Sequence, residues 1–445
     1  MRKILEKIKT VHLYGDTLLS LSSKAIAMVL FLCTDIAIAR LLENDGYGEW
    51  SFFYSIVSMC FWVVWFGVNS STKVYVARES ECRKRQSSCI VVGLQLRIVF
   101  SFIFLLVLLL VGQLAASSLG YPEKYSHLKT LFFIGGFLCF FNSFSEFFKD
   151  LYIGLVNFKN IFFMSIIEFG SNLFLGVGLL LFTKSVLGLA WGYVFAALFT
   201  CSFGFIALHF YFKKNGKKRA GKAYEKEMRS KIFKYALPIL ALSFGALILT
   251  EMDVFMLGIM NTPTETGLYS IAKSLVSKAT HINLAICTST MTAFAIITPE
   301  NSAEKKQLYN KIMLTNGLLS ILISALLFIF GPFAIQLLYG AQYQEAGIVL
   351  RALVPYYFIF SVSVFIGTFL DYQGKAKQRM ASYFVMVALN LVLNYLFIPA
   401  YGATGAAIAT CISMVPYLVS TALSAQKVFR SYKKSKAINP QGKRG

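Results

Sequence analysis

The sequence predicts an all-α polytopic membrane protein of twelve transmembrane helices, grouped as two six-helix lobes. Three observations predict it. Hydrophobic residues make up 57% of the 445 and charged residues only 14%, with a mean hydropathy of +0.63; a soluble domain carries about a quarter charged residues. The apolar residues are gathered into runs long enough to cross about 30 Å of hydrocarbon at about 1.5 Å per residue. Lys and Arg, the source of the net charge of +22, fall in alternate loops. The ~10-residue alternating segments of a membrane barrel do not occur.

Taken in order, a basic N-terminus, MRKILEKIKTVHLYGD, leads into a first span at 15–41 that has no small-residue cleavage site and is long enough to stay in the membrane. Spans follow at 50–76, 89–112, 129–151, 161–182 and 186–211. The stretch 213–234, KKNGKKRAGKAYEKEMRSKIFK, is the longest and most basic loop and reads as a cytoplasmic linker. Six more spans come at 235–259, 267–295, 311–338, 348–371, 379–398 and 404–427, before a basic tail at 428–445. The lobes are therefore 1–212 and 235–427. Loops on one side hold 31 Lys and Arg and those on the other hold 2, which places both termini and the linker in the cytoplasm. The same alternation assigns the net charge to membrane orientation, not to a nucleic-acid partner. Outer loops are short and leave no room for an external domain.

Eight cysteines (33, 60, 82, 89, 139, 201, 287, 411) are scattered with no C-x-x-C, and the four histidines (12, 127, 209, 281) share no ligand spacing. These are helix-packing residues rather than a disulfide framework or a metal site.

An internal repeat links the halves. Asp35 and the following IAIARLLENDGYGEWS superpose with one gap on Asp253 and VFMLGIMNTPTETGLYS, pairing Gly48 with Gly267, Trp50 with Tyr269 and Ser51 with Ser270 at an offset of 218 or 219. GLVNFK from Gly154 echoes GKAKQR from Gly374 at an offset of 220. An even number of spans per half makes the repeat parallel, the architecture of a two-lobed transporter with alternating access.

Charges inside spans need a partner or water. Lys24 and Asp35 fall in span 1, Lys73 in span 2, Glu168 in span 5, Glu251 and Asp253 in span 7, and Lys273 and Lys278 in span 8. Asp253 and Lys273 flank one outer turn at matching depths, roughly 9 Å below the surface at 1.5 Å per residue. They suit a structural ion pair or, for Lys273, a cavity cation facing an anionic substrate. The repeat separates them: Asp253 has a counterpart in Asp35, whereas Lys273 stands opposite Tyr54. What both halves keep reads as scaffold and what one half adds reads as function. Lys273, Lys73, Lys24 and Lys278 thus form the candidate set for binding a polyanion such as a lipid diphosphate. Asp253, Asp35, Glu251 and Glu168 are the candidates for coupling to H+ or Na+, or for structural ion pairs. No organic cofactor and no metal centre are expected.

Four segments in order, AIARLLENDGYGEWSFFYSI, DVFMLGIMNTPTETGLYSIAKSL, LLYGAQYQEAGIVLRALVP and LNLVLNYLFIPAYGATGAAIATCIS, resemble the oligosaccharide flippase (polysaccharide exporter) family. That family sits within the multidrug/oligosaccharidyl-lipid/polysaccharide exporter superfamily, and the resemblance spans essentially the whole chain. It implies two six-helix bundles forming a V around a cation-lined cavity. It also implies a multi-pass protein of the bacterial cytoplasmic membrane, not an enzyme. The implied activity moves an undecaprenyl-diphosphate-linked oligosaccharide from the cytoplasmic to the outer leaflet for surface polysaccharide such as O-antigen or capsule. The lipid bilayer and a polysaccharide polymerase are the other expected partners; the sequence leaves the oligomeric state open, with a monomer as the expectation. Lys273 falls where related lipid II flippases place a basic residue in span 8; Lys24 matches them only loosely, and their two extra C-terminal spans have no counterpart here. The competing readings are a cation-coupled multidrug exporter, which would want cavity carboxylates, and a membrane sugar polymerase or acyltransferase. A polymerase would want a large basic outer loop, and an acyltransferase a histidine better placed than His281.

Overall fold

A computed structural model describes residues 2–65, 67–118, 124–125, 127–216, 218–295 and 302–438. The end of the basic tail, 439–445, and parts of two expected loops, 119–123 and 296–301, lie outside the described residues. Among the described residues the regular structure is entirely helical. The helices are α1 (Arg2–Trp65), α2 (Val68–Arg78), α3 (Arg83–Ser118), α4 (Leu128–Gly154), α5 (Phe158–Ser171), α6 (Gly178–Thr183), α7 (Val186–Asn215), α8 (Lys222–Met260), α9 (Pro263–Ala295), α10 (Ser302–Tyr339), α11 (Ala346–Tyr372) and α12 (Ala376–Ile438).

Helices and expected spans correspond once the breaks are read. α1 holds span 1 and the start of span 2, joined at Glu43, whose φ of 59° and ψ of −172° leave the helical region. Gly67 at φ 66° separates α1 from α2, which completes span 2. Span 5 is α5 and α6 joined through a π-helical turn at Asn172–Val177. α12 carries spans 11 and 12, hinged at Gly402 with φ 55° and ψ −134°, a region open in practice only to glycine. The Glu265 carboxylate occupies the space a Cβ at Gly402 would need and accepts from the Ala403 N–H at 2.6 Å, capping the returning helix.

The chain forms two compact units, Met1–Glu251 and Met252–Gly445. The sequence places the division at the basic linker, whereas the structure places it inside span 7. The physical reason is packing by the first half of α8. Met228 and Ile232 lie in the apolar core of the first unit with Phe144, Phe147, Phe148, Leu151 and Tyr152. Phe233 stacks on Phe100 at 6.4 Å, and the linker itself is tied down. Arg219 donates to both oxygens of Glu225 at 2.5 Å and Ser88 donates to it at 3.2 Å. The Arg219 guanidinium holds the Glu225 carboxyl below the usual carboxylate range. The second unit has its own core around Phe365, Ile366, Phe369 and Leu370.

The repeat is real in the backbone, with one change of register. In the turn after span 4, Leu155, Val156 and Asn157 donate to Leu151, Ile153 and Tyr152. In the turn after span 10, Gln373, Gly374 and Lys375 donate to Phe369, Asp371 and Leu370. Every pair is offset by 218, and the left-handed residue is Val156 (φ 55°) in one and Gly374 (φ 70°) in the other. Gly154 is therefore not the partner of Gly374. It is glycine because a Cβ there would lie 2.7 Å from the Lys73 carbonyl oxygen. The same offset pairs Lys184 (φ 50°) with Gly402 (φ 55°) and Asp35 with Asp253.

Candidate functional site

In the second unit, Asp253 sits in span 7 with 2% exposure. A carboxylate in a lipid-spanning helix must be satisfied inside the protein, and neutral donors do this. Tyr269 of α9 donates to Oδ2 at 2.7 Å, and the Asn394 amide of α12 donates to Oδ1 at 2.6 Å. The Thr410 hydroxyl lies 3.1 Å from Oδ2 and 2.8 Å from the Ala406 carbonyl, so it divides one proton between two acceptors. Asn394 also donates to Asn390 Oδ1 at 3.1 Å. Its own Oδ1 is buried without a hydrogen-bond partner. The result is a sealed cluster in which a carboxylate, two amide oxygens and a hydroxyl meet from α8 and both spans of α12.

Lys273 lies one turn below Tyr269 on α9, its Nζ 6.0 Å from the Tyr269 ring centroid. Lys278 is nearly buried and donates to Ser274 Oγ at 2.5 Å. Five residues along a helix rotate a side chain by about 140°. The two ammonium groups therefore leave α9 on different faces, and only Lys273 shares the face of Tyr269 and Asp253. A further buried network adjoins α9, where Tyr357 donates to Asn283 at 2.7 Å and Asn283 donates to Asn316 and Ser320 at 3.2 and 3.0 Å.

The first unit builds the corresponding place differently. Asp35 is half-buried and accepts from Tyr47 at 2.9 Å. At the positions matching Asn394 and Thr410 stand Gly176 and Gly192, and they pack backbone to backbone. A Cβ on Gly192 would lie 2.6 Å from Gly176 Cα, the close approach that small residues provide in membranes. Trp50, the counterpart of Tyr269, packs on Tyr193 at 4.9 Å. Tyr54, the counterpart of Lys273, packs beside Trp50 with the rings tilted and 5.5 Å apart.

Around the end of span 4 in this unit the charges pair. Lys73 bonds Asp150 at 2.7 Å. Lys149 bonds Glu146 at 2.6 Å and pairs with Glu168 as well. Arg97, fully buried, reaches Asn69 at 3.4 Å.

The polysaccharide biosynthesis protein model matches residues 13–295, well over half of the chain. The chain belongs to the polysaccharide biosynthesis protein family. A second model, MatE, matches residues 238–396. Both point to the exporter superfamily that the sequence motifs resemble. One relative, the probable low-salt glycan biosynthesis flippase Agl15 of Haloferax volcanii, is 26% identical over 198 residues. The match covers 44% of this chain and 41% of the relative, so the chain spans about two fifths of that relative's length. Among solved structures, an inward-facing multidrug resistance MATE family transporter of the MOP superfamily aligns with a TM-score of 0.76 at 14% identity, over 92% of this chain and 96% of the other. The lipid II flippase MurJ in an inward closed conformation aligns with a TM-score of 0.69 at 17% identity, over 95% and 91%. At these identities the likeness is one of fold.

Within this polysaccharide biosynthesis protein, the sequence candidates separate. Asp253 and Lys273 share one face of one hairpin, Lys278 faces elsewhere, and Lys24 lies exposed on α1. Lys73 and Glu168 are engaged in the ion pairs just described, and Glu251 is half-buried at the end of the first unit. Sequence reasoning missed Asn394, Thr410 and the Tyr269 hydroxyl, the donors that hold Asp253, and Lys149. Lys149 had a signal, its i,i+3 spacing from Glu146.

Proposed function

We propose that this protein is a flippase that moves an undecaprenyl-diphosphate-linked oligosaccharide from the cytoplasmic to the outer leaflet by alternating access, supplying surface polysaccharide synthesis. The observation that carries the reading is Lys273. It is a cation one turn below Tyr269 on a membrane-spanning helix, beside an aspartate that draws its hydrogen bonds from neutral donors. A flippase for a diphosphate must bind the anion inside the membrane and release it again. A single lysine held near an aromatic face meets that need as a point charge. Membership of the polysaccharide biosynthesis protein family and the flippase named among its relatives support the same substrate class. The polyprenyl tail stays in lipid while the protein shelters the sugar and phosphates.

The Asp253 cluster is the proposed coupling site for H+ or Na+. Its donor set is all oxygen, which suits a hard cation, and the buried Asn394 Oδ1 lacks a hydrogen-bond donor. Asp253, Asn390, Asn394 and Thr410 would hold the ion. The bound cation would compete with the Tyr269, Asn394 and Thr410 hydrogen bonds for the carboxylate oxygens, so loading and unloading would change how Asp253 grips Tyr269, one turn from Lys273.

In cells, Lys273→Ala should lower surface polysaccharide at least about thirtyfold, because truncating one side of a buried charge contact costs on the order of 2 kcal/mol or more. Lys273→Arg should retain most export. Normal export by both Lys273→Ala and Lys273→Glu, at unchanged membrane levels, would remove Lys273 from the mechanism.

A further inference from the structure

On the first unit, away from Asp35 and the paired charges, a cleft of about 730 Å³ runs between the turn after span 4, the start of span 5 and the end of span 6. Its volume is in the range of small-molecule sites. The walls are apolar: Val156, Phe163, Ile206 and Phe210 are 65%, 42%, 55% and 60% exposed, with Phe203 between them. The mouth is cationic and amidic, lined by Lys159, Lys214, Asn157 and Asn215, and both lysines are exposed. From Lys214 down α7 to Phe203 is about 16 Å at 1.5 Å per residue. The cleft therefore reaches from head-group level to well inside the hydrocarbon.

The repeat supplies an independent argument. At an offset of 218, Phe163, Phe203 and Ile206 correspond to Ala381, Thr421 and Ser424, so the second unit places small or polar residues where three of the wall residues stand. There the matching helices are laced shut: Ser382 and Ser420 hydroxyls meet at 2.6 Å, and Arg379 bonds Asp371 at 2.8 Å and reaches Tyr417 at 3.4 Å. At the lip, Gly374 takes its left-handed conformation without strain, but the first unit keeps a valine at φ 55°. A β-branched residue there costs about 1–3 kcal/mol. The strain turns an apolar side chain outward beside two lysines.

We propose that this cleft is a binding site for an anionic glycerophospholipid of the cytoplasmic leaflet. Lys159 and Lys214 take the head-group phosphate, and an acyl chain lies along Phe163, Phe203, Ile206 and Phe210. None of the candidate transport residues, Lys273, Lys73, Lys24, Lys278 or Asp253, lines the cleft. The site rests on the membrane orientation that loop charge implies, which the readout below does not use.

The test uses the full-length protein in mild detergent, with lipid retention measured by native mass spectrometry and thermal unfolding followed in parallel. Phosphatidylglycerol should be retained and should raise Tm by several degrees, while phosphatidylcholine should do neither. K159Q/K214Q should lower phosphatidylglycerol retention about thirtyfold, the worth of two lysines at an anionic lipid surface at ~1 kcal/mol each. K218Q/K222Q, which removes the same charge from the linker, should leave retention unchanged, as should K273A. Inorganic phosphate at equal concentration should not displace the lipid. Equal retention of phosphatidylcholine, an equal loss in the linker pair, or displacement by phosphate would each overturn the site. Failure of export in K273A with retention intact bears on the transport reading alone.

Discussion

Asp35 and Asp253 stand at matching places in the two halves, yet the first accepts from Tyr47 in a half-buried position, while the second is sealed by Tyr269, Asn394 and Thr410. The cause lies on the neighbouring spans. Where the second unit has an asparagine and a threonine, the first has Gly176 and Gly192 in backbone contact. One half of the repeat uses that crossing for close packing, and the other uses it for polar chemistry. The two halves share backbone features at matching positions and differ in the side chains each places at the crossing. The same holds one turn further down, where Tyr54 packs against Trp50 but Lys273 lies over Tyr269.

The largest expected difference follows from that sealing. Asp253→Ala strands buried donors that cost about 1–3 kcal/mol each, so it should destabilise by about 2–4 kcal/mol in thermal unfolding of the detergent-solubilised protein. Asp35→Ala, in a half-buried place where water can reach the groups left behind, should cost less than Asp253→Ala, about 1 kcal/mol. Equal losses would erase the distinction between the two carboxylates. Gly192→Ala comes next, because its Cβ meets backbone and not a side chain that can swing away; overpacking of this kind costs about 1–3 kcal/mol. Thr410→Val at the matching position should cost about 1 kcal/mol, the price of one shared donor. The smallest pair sharpens the register. Gly374→Val should lower stability by about 1–2 kcal/mol, whereas Val156→Gly should change it by less than about 1 kcal/mol, since relief of strain offsets the extra freedom of the unfolded chain. A large loss for Val156→Gly would argue against Val156 as the partner of Gly374.

Most of the fold was legible because its signals are local. Apolar runs give spans, and Lys and Arg in alternate loops give their order. The break inside α12 was legible as the gap between spans 11 and 12, where Gly402 takes a conformation closed to other residues. The unit boundary was not legible, because the basic linker reads as solvated while Met228 and Ile232 insert into a core that sequence does not display. A two-residue slip at Gly154 arose because glycines were matched as letters, although one serves a close approach and the other a left-handed turn. Asp253 announced itself as a charge in an apolar run. Its donors did not, because Asn394 and Thr410 lie 141 and 157 residues away in spans where a lone asparagine or threonine is ordinary helix-contact chemistry.

The proposed role of Lys273 is to let this protein carry a lipid diphosphate across the bilayer. The direct measurement is leaflet exchange of a fluorescent undecaprenyl-diphosphate-linked oligosaccharide in proteoliposomes, read by quenching from outside. Wild type should expose the inner pool far faster than empty vesicles, and Lys273→Ala at the same protein density should fall to the empty-vesicle rate. Wild type no faster than empty vesicles, or Lys273→Ala as fast as wild type, would contradict it.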